Sequence, residues 1–248
     1  MKRLNLTFLT IASFVTMTMC SCIAYRPQVV EIPLIHEKGE LQINGSIGLS
    51  APFGDGYLGT TVSYGATDWL AVQGHANWNG AAGGYGQVAA GAFKAWNKAV
   101  LEGYVGYGLG GNNWNDKNNG RTFSALYHLP FLQADFGWAG LANGHLDIGL
   151  GLKAGCLFPN IVNTKPATET QPESIMRSTD PAALVEPQIF LRAGGKHLKW
   201  TLNIGYCYLR GTGADPNDPF KDASAIYMPF TINTGITYDF NVFEKKGK

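Results

Sequence analysis

Three groups of residues have types and spacings that could support catalysis or metal binding. Ser124 and His128 lie four residues apart, which places both on one face of a strand, and a serine beside a histidine can act as an activated nucleophile. His145 and Asp147 form an acid–histidine pair with the H-x-D spacing that some proteases use. The segment 214–223, ADPNDPFKDA, concentrates the carboxylate and amide oxygens that bind Ca²⁺.

None of these groups has the partners that its chemistry requires. No acidic residue on the same face is available to orient His128. The pair His145 and Asp147 lies beside a short connection between two predicted strands, away from the long connections described below. Segment 214–223 contains two prolines and no regular D-x-D-x-D spacing, and no nucleotide loop or zinc spacing occurs. We therefore predict a protein with no catalytic residues, no metal and no cofactor, that is, not an enzyme.

Composition restricts the class of protein more than it restricts function. The chain has 248 residues, of which 45% are hydrophobic and 15% charged, with a formal charge of +1. The near-zero charge gives no basic surface for nucleic acid, and 12% aromatic residues argue against disorder. The 32 glycines follow no three-residue period, so the sequence is not collagen-like. Beyond the first twenty residues there is no apolar run of 18, so no spanning helix is expected.

The N-terminus has the features of a processing signal. Lys2 and Arg3 precede the short apolar stretch Leu4–Val15, which is followed by TMTMCSC. Cys22 follows the small Ser21 and is the predicted acceptor of a diacylglycerol, although an ordinary cleaved secretory peptide remains an alternative. We assign residues 1–21 to a lipoprotein signal peptide and residues 22–38 to a lipid anchor and periplasmic lead-in.

From residue 39 onward the chain alternates apolar and polar residues with a period of two. In Glu40–Leu49, for example, isoleucines and leucines occupy one face and polar residues the other. The pattern places Cys156 and Cys207 on opposite faces, so no disulfide between them is expected. Ten strand segments are predicted, at about 39–49, 57–67, 69–79, 84–96, 99–111, 122–139, 144–157, 183–195, 198–211 and 226–240.

The connections between these segments decide how the strands are arranged. Every long connection (111–121, 158–182 and 211–225) alternates in order with tight turns of a few residues. Long loops on one rim and short turns on the other are typical of an outer-membrane barrel. We predict an all-β fold: one closed, up-and-down, antiparallel transmembrane β-barrel over residues 39–243, with about ten strands (eight possible) and a periplasmic tail at 244–248.

The period of two also assigns the side chains to the two faces of this barrel. Charged residues point inward and form a predicted polar network in the lumen. Its members are Glu40, Glu102, Asp135, Asp147, Lys153, Glu186 and Arg192. Outward aromatic rings near the short turns predict a girdle at the membrane–water interface, formed by Trp69, Trp96, Trp138, Trp200, Tyr238 and Phe240.

Several stretches of the sequence resemble one family. They are the leader ending in SC followed by YRPQVVEIPLIHEKGELQINGSIG, then YGATDWLAVQGHANWNG, EGYVGYGLGG, VEPQIFLRAGG and YMPFTINTGITYDF. Together they resemble a porin-like, functionally uncharacterised family of lipid-anchored outer-membrane β-barrel proteins of Gram-negative anaerobes. The resemblance covers nearly the whole mature chain and implies a small barrel. It brings no catalytic residues with it.

The functional expectation is a non-enzymatic outer-membrane lipoprotein with a structural or surface-interaction role. We expect an accessory subunit of a larger assembly for protein insertion, secretion or uptake, in contact with outer-membrane lipid, lipopolysaccharide and other outer-membrane proteins. The alternatives are a small porin-like channel and, less favoured, a lipid-modifying barrel enzyme. The N-terminal lipid is expected in the periplasmic leaflet and the long loops outside the cell. The predicted partner-contact residues in those loops are Trp114, Asp116, Lys117, Asp215, Asp218 and Phe220.

Overall fold

A computed structural model describes residue 25 and residues 31–51, 56–78, 83–116, 120–167, 172–211 and 230–243. In these residues the chain forms almost entirely antiparallel strands, joined by tight turns. The strands are β1 (Glu40–Ala51), β2 (Gly56–Gly65), β3 (Leu70–Trp78), β4 (Gly83–Trp96), β5 (Ala99–Asp116), β6 (Arg121–Gly140), β7 (Leu146–Lys165), β8 (Ser174–Ser178), β9 (Ala182–Gly194), β10 (Leu198–Tyr206), β11 (Tyr208–Gly211) and β12 (Phe230–Asn241).

The strands close into a ring of ten. Each of β1 to β6 pairs with the next, β7 pairs with β9, β9 with β10, β10 with β12, and β12 returns to β1. The closing register sets Leu41 opposite Phe240 on one side and opposite Tyr64 on the other. The short β8 only extends β7, and β11 continues β10 beyond Cys207 against β9. The prediction of a closed ten-strand antiparallel barrel is confirmed, and eight strands is excluded.

The short turns share one rim, which we call the short-turn rim. Asn97 and Lys98 alone separate the paired Trp96 and Ala99, and Asn97 adopts φ +57°, as a tight two-residue hairpin requires. The turn at Leu141–Gly144 likewise places Ala142 and Asn143 at positive φ. The barrel also begins and ends at this rim, since Glu40 pairs with Asn241. We call the opposite rim the long-loop rim.

Strands near the long-loop rim extend beyond their predicted ends. The stretch predicted as a loop at 112–121 is mostly a β5–β6 hairpin, in which Trp114 pairs with Phe123 and Asp116 with Arg121. Part of the predicted loop 159–182 is also strand, because β7 runs to Lys165 and β8 pairs beside it. These extensions could not be predicted from the sequence, because the glycines and asparagines there are typical of turns.

Pro130 interrupts pairing without ending its strand. It lies inside β6, yet pairing with β7 stops at His128–Phe158 and resumes at Phe131–Gly155. A proline has no N–H to donate, so a gap is expected. The register is the same on both sides of the gap, so Pro130 causes neither a bulge nor a later start of the strand.

The two faces of the barrel are inverted relative to a water-soluble protein. Inside, Lys153 is 0% exposed and Asp135 is 1% exposed. Outside, Val88 is 67% exposed and Leu132 is 65% exposed. The run of alanine and glycine in β4 does not show from the sequence which residues face inward. In the structure, Tyr85, Gln87 and Ala89 point inward. Among the described residues, no helix has the length and apolar character needed to cross a membrane.

Candidate functional site in the barrel lumen

Part of the N-terminal segment lies inside the barrel. Glu31, Ile32, Leu34 and Ile35 are each at most 2% exposed, and residues 31–36 are called the lumen segment below. The chain then leaves the lumen at the short-turn rim, where Gly39 adopts φ +83° and its N–H donates to Gly65 O at 2.7 Å. The stretch 22–38, expected to be a periplasmic lead-in, therefore contains residues that lie inside the barrel, at 31–35.

The lumen segment has no strand partner, so inward side chains satisfy its backbone. The two carboxylate oxygens of Glu102 accept from Leu34 N at 3.0 Å and Ile35 N at 2.8 Å. Gln42 Nε2 donates to Pro33 O at 2.9 Å, and Gln133 Nε2 donates to Glu31 O at 3.0 Å. A buried backbone group without a partner is costly, so these contacts hold the segment in one conformation.

Arg192 makes the largest number of these contacts. Its guanidinium donates to Pro33 O at 3.1 Å and to Ile32 O, and it pairs with the Glu31 carboxylate at 3.4 Å. The guanidinium also stacks 4.6 Å from the centroid of Phe190. A planar fork of donors suits several acceptors at once, which a lysine could not match.

Inward glycines leave the space that the lumen segment fills. A Cβ on Gly151 would lie 2.7 Å from Ile32 Cδ1, and one on Gly137 would lie 2.9 Å from Leu34 Cδ1. Gly65 is similar, since its Cβ would lie 2.9 Å from Ile35 Cγ2. These contacts are closer than real carbon atoms approach, so the glycines and the segment are complementary in shape.

A second polar group lies nearer the long-loop rim. Lys153 pairs with Glu186 at 2.9 Å, and both side chains are buried. Tyr25 is fully buried beside them and donates from its hydroxyl to Glu186 Oε1 at 2.8 Å. Its ring packs edge-on against Tyr127 with 5.3 Å between centroids, and Tyr127 stacks on Tyr85 at 6.0 Å. This group lies in the lumen on the long-loop side of the lumen segment.

A third group lies close to the short-turn rim. Lys199 Nζ donates to both oxygens of Asp147, at 2.9 and 2.7 Å, and lies 3.9 Å from Asp239. Asp147 also accepts from Gly140 N at 2.8 Å, which ties this ion pair to the turn before β7.

His36 lies where the lumen segment reaches the short-turn rim. The backbone N–H of His36 donates to Glu40 Oε2 at 2.6 Å, and its ring Nδ1 lies 2.9 Å from Leu34 O.

The predicted lumen residues occupy the interior. Glu102, Asp135, Asp147, Lys153, Glu186 and Arg192 are all buried, whereas Glu40 is half-buried at the rim. Buried acidic side chains outnumber buried basic ones in the described part of the lumen. Within the described strands and the lumen segment, the buried cations are Lys153, Arg192 and Lys199. Glu102 and Asp135, which face each other on β5 and β6, accept mainly from neutral N–H groups instead.

Sequence reasoning missed the buried charged residues Lys199 and Glu31. Lys199 could have been found, because outward Trp200 next to it implies an inward lysine. Glu31 could not, because the lumen segment has no periodicity that assigns it to a face.

The two candidate pairs that the structure describes, Ser124 with His128 and His145 with Asp147, are not assembled as reactive sites. Ser124 Oγ donates to Asn113 Oδ1 at 2.8 Å, while the His128 ring bonds to the Tyr107 hydroxyl, so the hydroxyl and imidazole have separate partners. His145 Nδ1 lies 2.7 Å from Gly194 O, a turn contact, and Asp147 is bound to Lys199. Among the residues that the structure describes, no three His, Cys, Asp or Glu side chains group as a metal site.

Several predicted residues fall outside the part of the chain that the structure describes. They are Cys22, Lys117, Asp215, Asp218 and Phe220, together with the calcium candidate 214–223. Trp114 and Asp116 are placed on β5 by their backbone pairing. Cys156 and Cys207 are free, with Cys207 buried.

The predicted girdle residues form an outward ring near the short-turn rim. Trp69 is 61% exposed, and Trp96, Trp138, Trp200 and Tyr238 are exposed as well, whereas Phe240 is half-buried. Phe136 packs edge-on against Trp138 at 4.8 Å, and Tyr238 lies 5.5 Å from Phe240. Towards the long-loop rim, outward Tyr206 packs against Phe230 at 5.0 Å, an aromatic pair that the sequence analysis does not assign to a girdle.

The chain was compared with known proteins and solved structures. Neither a known protein family nor a curated protein matches the sequence. One similar structure is the N-terminal β-barrel domain of Pseudomonas aeruginosa OprF, at 12% identity over 82% of this chain and 98% of that chain, with a TM-score of 0.33. Another is the translocator domain of the autotransporter NalP from Neisseria meningitidis, at 13% identity over 84% and 91%, with a TM-score of 0.35.

Proposed function

We propose that this protein is a plugged, non-conducting outer-membrane β-barrel with a structural or surface-interaction role. The observation that carries the proposal is the filled lumen. Residues 31–36 are bonded to Glu102, Arg192, Gln42 and Gln133, and Tyr25 closes the lumen above them. A ten-strand barrel is close to the size whose interior its own side chains fill, and here a chain segment fills it further.

The outer surface supports a bilayer as the surroundings of the barrel. Exposed valine, leucine and isoleucine cover its middle, and soluble monomers rarely expose such a continuous apolar surface. In hydrocarbon each unpaired backbone group costs several kcal/mol, and a closed ring of strands leaves no unpaired edge. The outward aromatic rings near the short-turn rim suit the membrane–water interface.

The orientation and lipid anchor are part of the same proposal. Short turns face the periplasm and long loops the outside in bacterial barrels, so the short-turn rim is proposed to be periplasmic. Cys22 is proposed to carry a diacylglycerol. With a closed lumen, function depends on the outer surfaces. We propose an accessory subunit of a larger outer-membrane assembly that is contacted through the end of the β5–β6 hairpin, at Trp114, Asp116 and Lys117, and through the segment with Asp215, Asp218 and Phe220.

Planar-bilayer recording of the purified full-length protein tests the closed lumen. We expect no conductance steps from the native chain. A Gln42→Ala, Gln133→Ala double variant, which removes two amide bonds to the lumen segment, should stay folded by heat-modifiable gel mobility and show intermittent steps. Stable steps from the native protein would instead support the porin-like channel.

Mild-detergent purification tests the role as a subunit. A C-terminally tagged chain should elute with a stoichiometric outer-membrane protein. Elution as a monodisperse monomer from native membranes would contradict the accessory-subunit proposal. Deacylase assays of the native protein beside Ser124→Ala and His128→Ala test the remaining enzyme alternative, and we expect no activity that either variant removes.

A further inference from the structure

Tyr25 fixes where the N-terminal chain lies before it reaches the lumen segment. Its side chain is fully buried, bonded to Glu186 and packed on Tyr127, so residue 25 lies inside the barrel. Glu31 to Ile35 are also inside, and Gly39 is at the short-turn rim. Residue 25 and residues 31–35 therefore both lie in the lumen, and residue 39 lies at the short-turn rim.

The contacts of these residues give the direction of travel. Leu34 and Ile35 bond to Glu102, which is three residues from Ala99 at the short-turn end of β5. Tyr25 bonds to Glu186, eight residues from Gly194 at the short-turn end of β9. Eight residues of a strand tilted by about 40° rise roughly 20 Å along the barrel axis. Tyr127, which the Tyr25 ring touches, is thirteen residues above Gly140, a rise of roughly 34 Å by the same measure.

We propose that the N-terminus threads the barrel, entering from the long-loop rim and leaving at the short-turn rim. Upstream of Tyr25, Cys22 is only three residues away, and three extended residues span at most about 11 Å. That length is too short to bring Cys22 back to the short-turn rim. The lumen below Tyr25 is also already filled by Ile32, Leu34 and Ile35.

This position determines which leaflet the proposed lipid on Cys22 can reach. Acyl chains on Cys22 need a bilayer leaflet, and the leaflet within reach is the one at the long-loop rim. This conclusion rests on the lipidation and orientation proposed above. It places the anchor in the outer leaflet, at the cell surface, rather than in the periplasmic leaflet that the sequence alone suggests.

Cysteine labelling of intact cells tests the threading. The reporter is a short flexible Gly/Ser linker with one cysteine, inserted between Ile23 and Ala24 in a Cys156→Ala, Cys207→Ala background. The matched controls are Asp180→Cys near the long-loop rim and Lys98→Cys in the β4–β5 turn, both at exposed positions. Each variant is treated with a membrane-impermeant maleimide before and after permeabilisation.

The linker cysteine should label in intact cells together with Asp180→Cys, while Lys98→Cys labels only after permeabilisation. Linker labelling that follows Lys98→Cys, or no linker labelling in either state while both controls react, would overturn the threading. If the two controls exchange places, the orientation fails, yet the linker should still follow Asp180→Cys. Conductance recording measures whether the lumen is closed, and its result does not depend on the labelling pattern. Failure of the closed-lumen proposal can therefore be distinguished from failure of the threading proposal.

Discussion

Arg192 shows how a single side chain can connect a barrel wall to its contents. It contacts Glu31, Ile32 and Pro33 from a position that is 1% exposed. Its inward direction follows from the alternation of β9 in the sequence. Its partners do not, because the proline-containing stretch 31–36 has no period that assigns its residues to a wall or a lumen.

Replacing Arg192 by methionine should destabilise the protein strongly. The substitution keeps the packing volume but leaves Glu31 and two carbonyls buried without their donor, a loss of about 3–5 kcal/mol for a broken buried pair. Urea unfolding in detergent micelles, followed by tryptophan fluorescence, measures the change. Exposed Arg177 on β8 is the matched control, and Arg177→Met should change the free energy of unfolding by less than about 0.5 kcal/mol. Equal midpoints for the two variants would contradict this role of Arg192.

The strands were predictable from the sequence because outward and inward residues alternate without exception over long stretches. In Glu40–Leu49 and around Ile148, inward and outward residues alternate from rim to rim in the sequence pattern. The structure has the same residues inward and the same residues outward. The β5–β6 hairpin was predicted too short, because its tip GGNNWNDKNNG has loop composition while its backbone is still paired. Pro130 does not end β6, because its missing N–H interrupts pairing on the β7 side of the strand only.

The alternation of β7 assigns Gly151 to the inner face, but the lumen segment that packs against it could not be predicted from the sequence. Gly151→Val should disturb the lumen segment, because a Cβ there would lie 2.7 Å from Ile32 and 2.5 Å from Asp135 Oδ1. We expect a loss of about 1–3 kcal/mol, typical of overpacking, in the same unfolding assay. Gly103 on β5 faces outward with nothing within 4 Å of its added Cβ, so Gly103→Val is the matched control and should be near neutral. A Gly151→Val protein as stable as Gly103→Val would show that the segment does not pack there.

At the scale of the whole molecule, the ring of ten strands and the filled lumen depend on each other. Closure follows from the pairing of β1 with β12, which an even number of strands brings together at one rim. The sequence predicted that closure from loop lengths alone. It could not predict the plug, since contacts such as Tyr25 with Glu186 join residues 161 positions apart and leave no local signal.

The central claim is that side chains alternate between lipid and a closed interior, and spin-label accessibility measures this directly. Nitroxide labels at Val88 and Gln87 on β4, after removal of the native cysteines, would be compared in reconstituted liposomes. We predict high collision rates with oxygen and low rates with a water-soluble nickel chelate at Val88, since oxygen concentrates in hydrocarbon. The label at Gln87 should be immobile and shielded from both. Equal exposure of both positions to the nickel chelate would contradict a closed, membrane-embedded barrel.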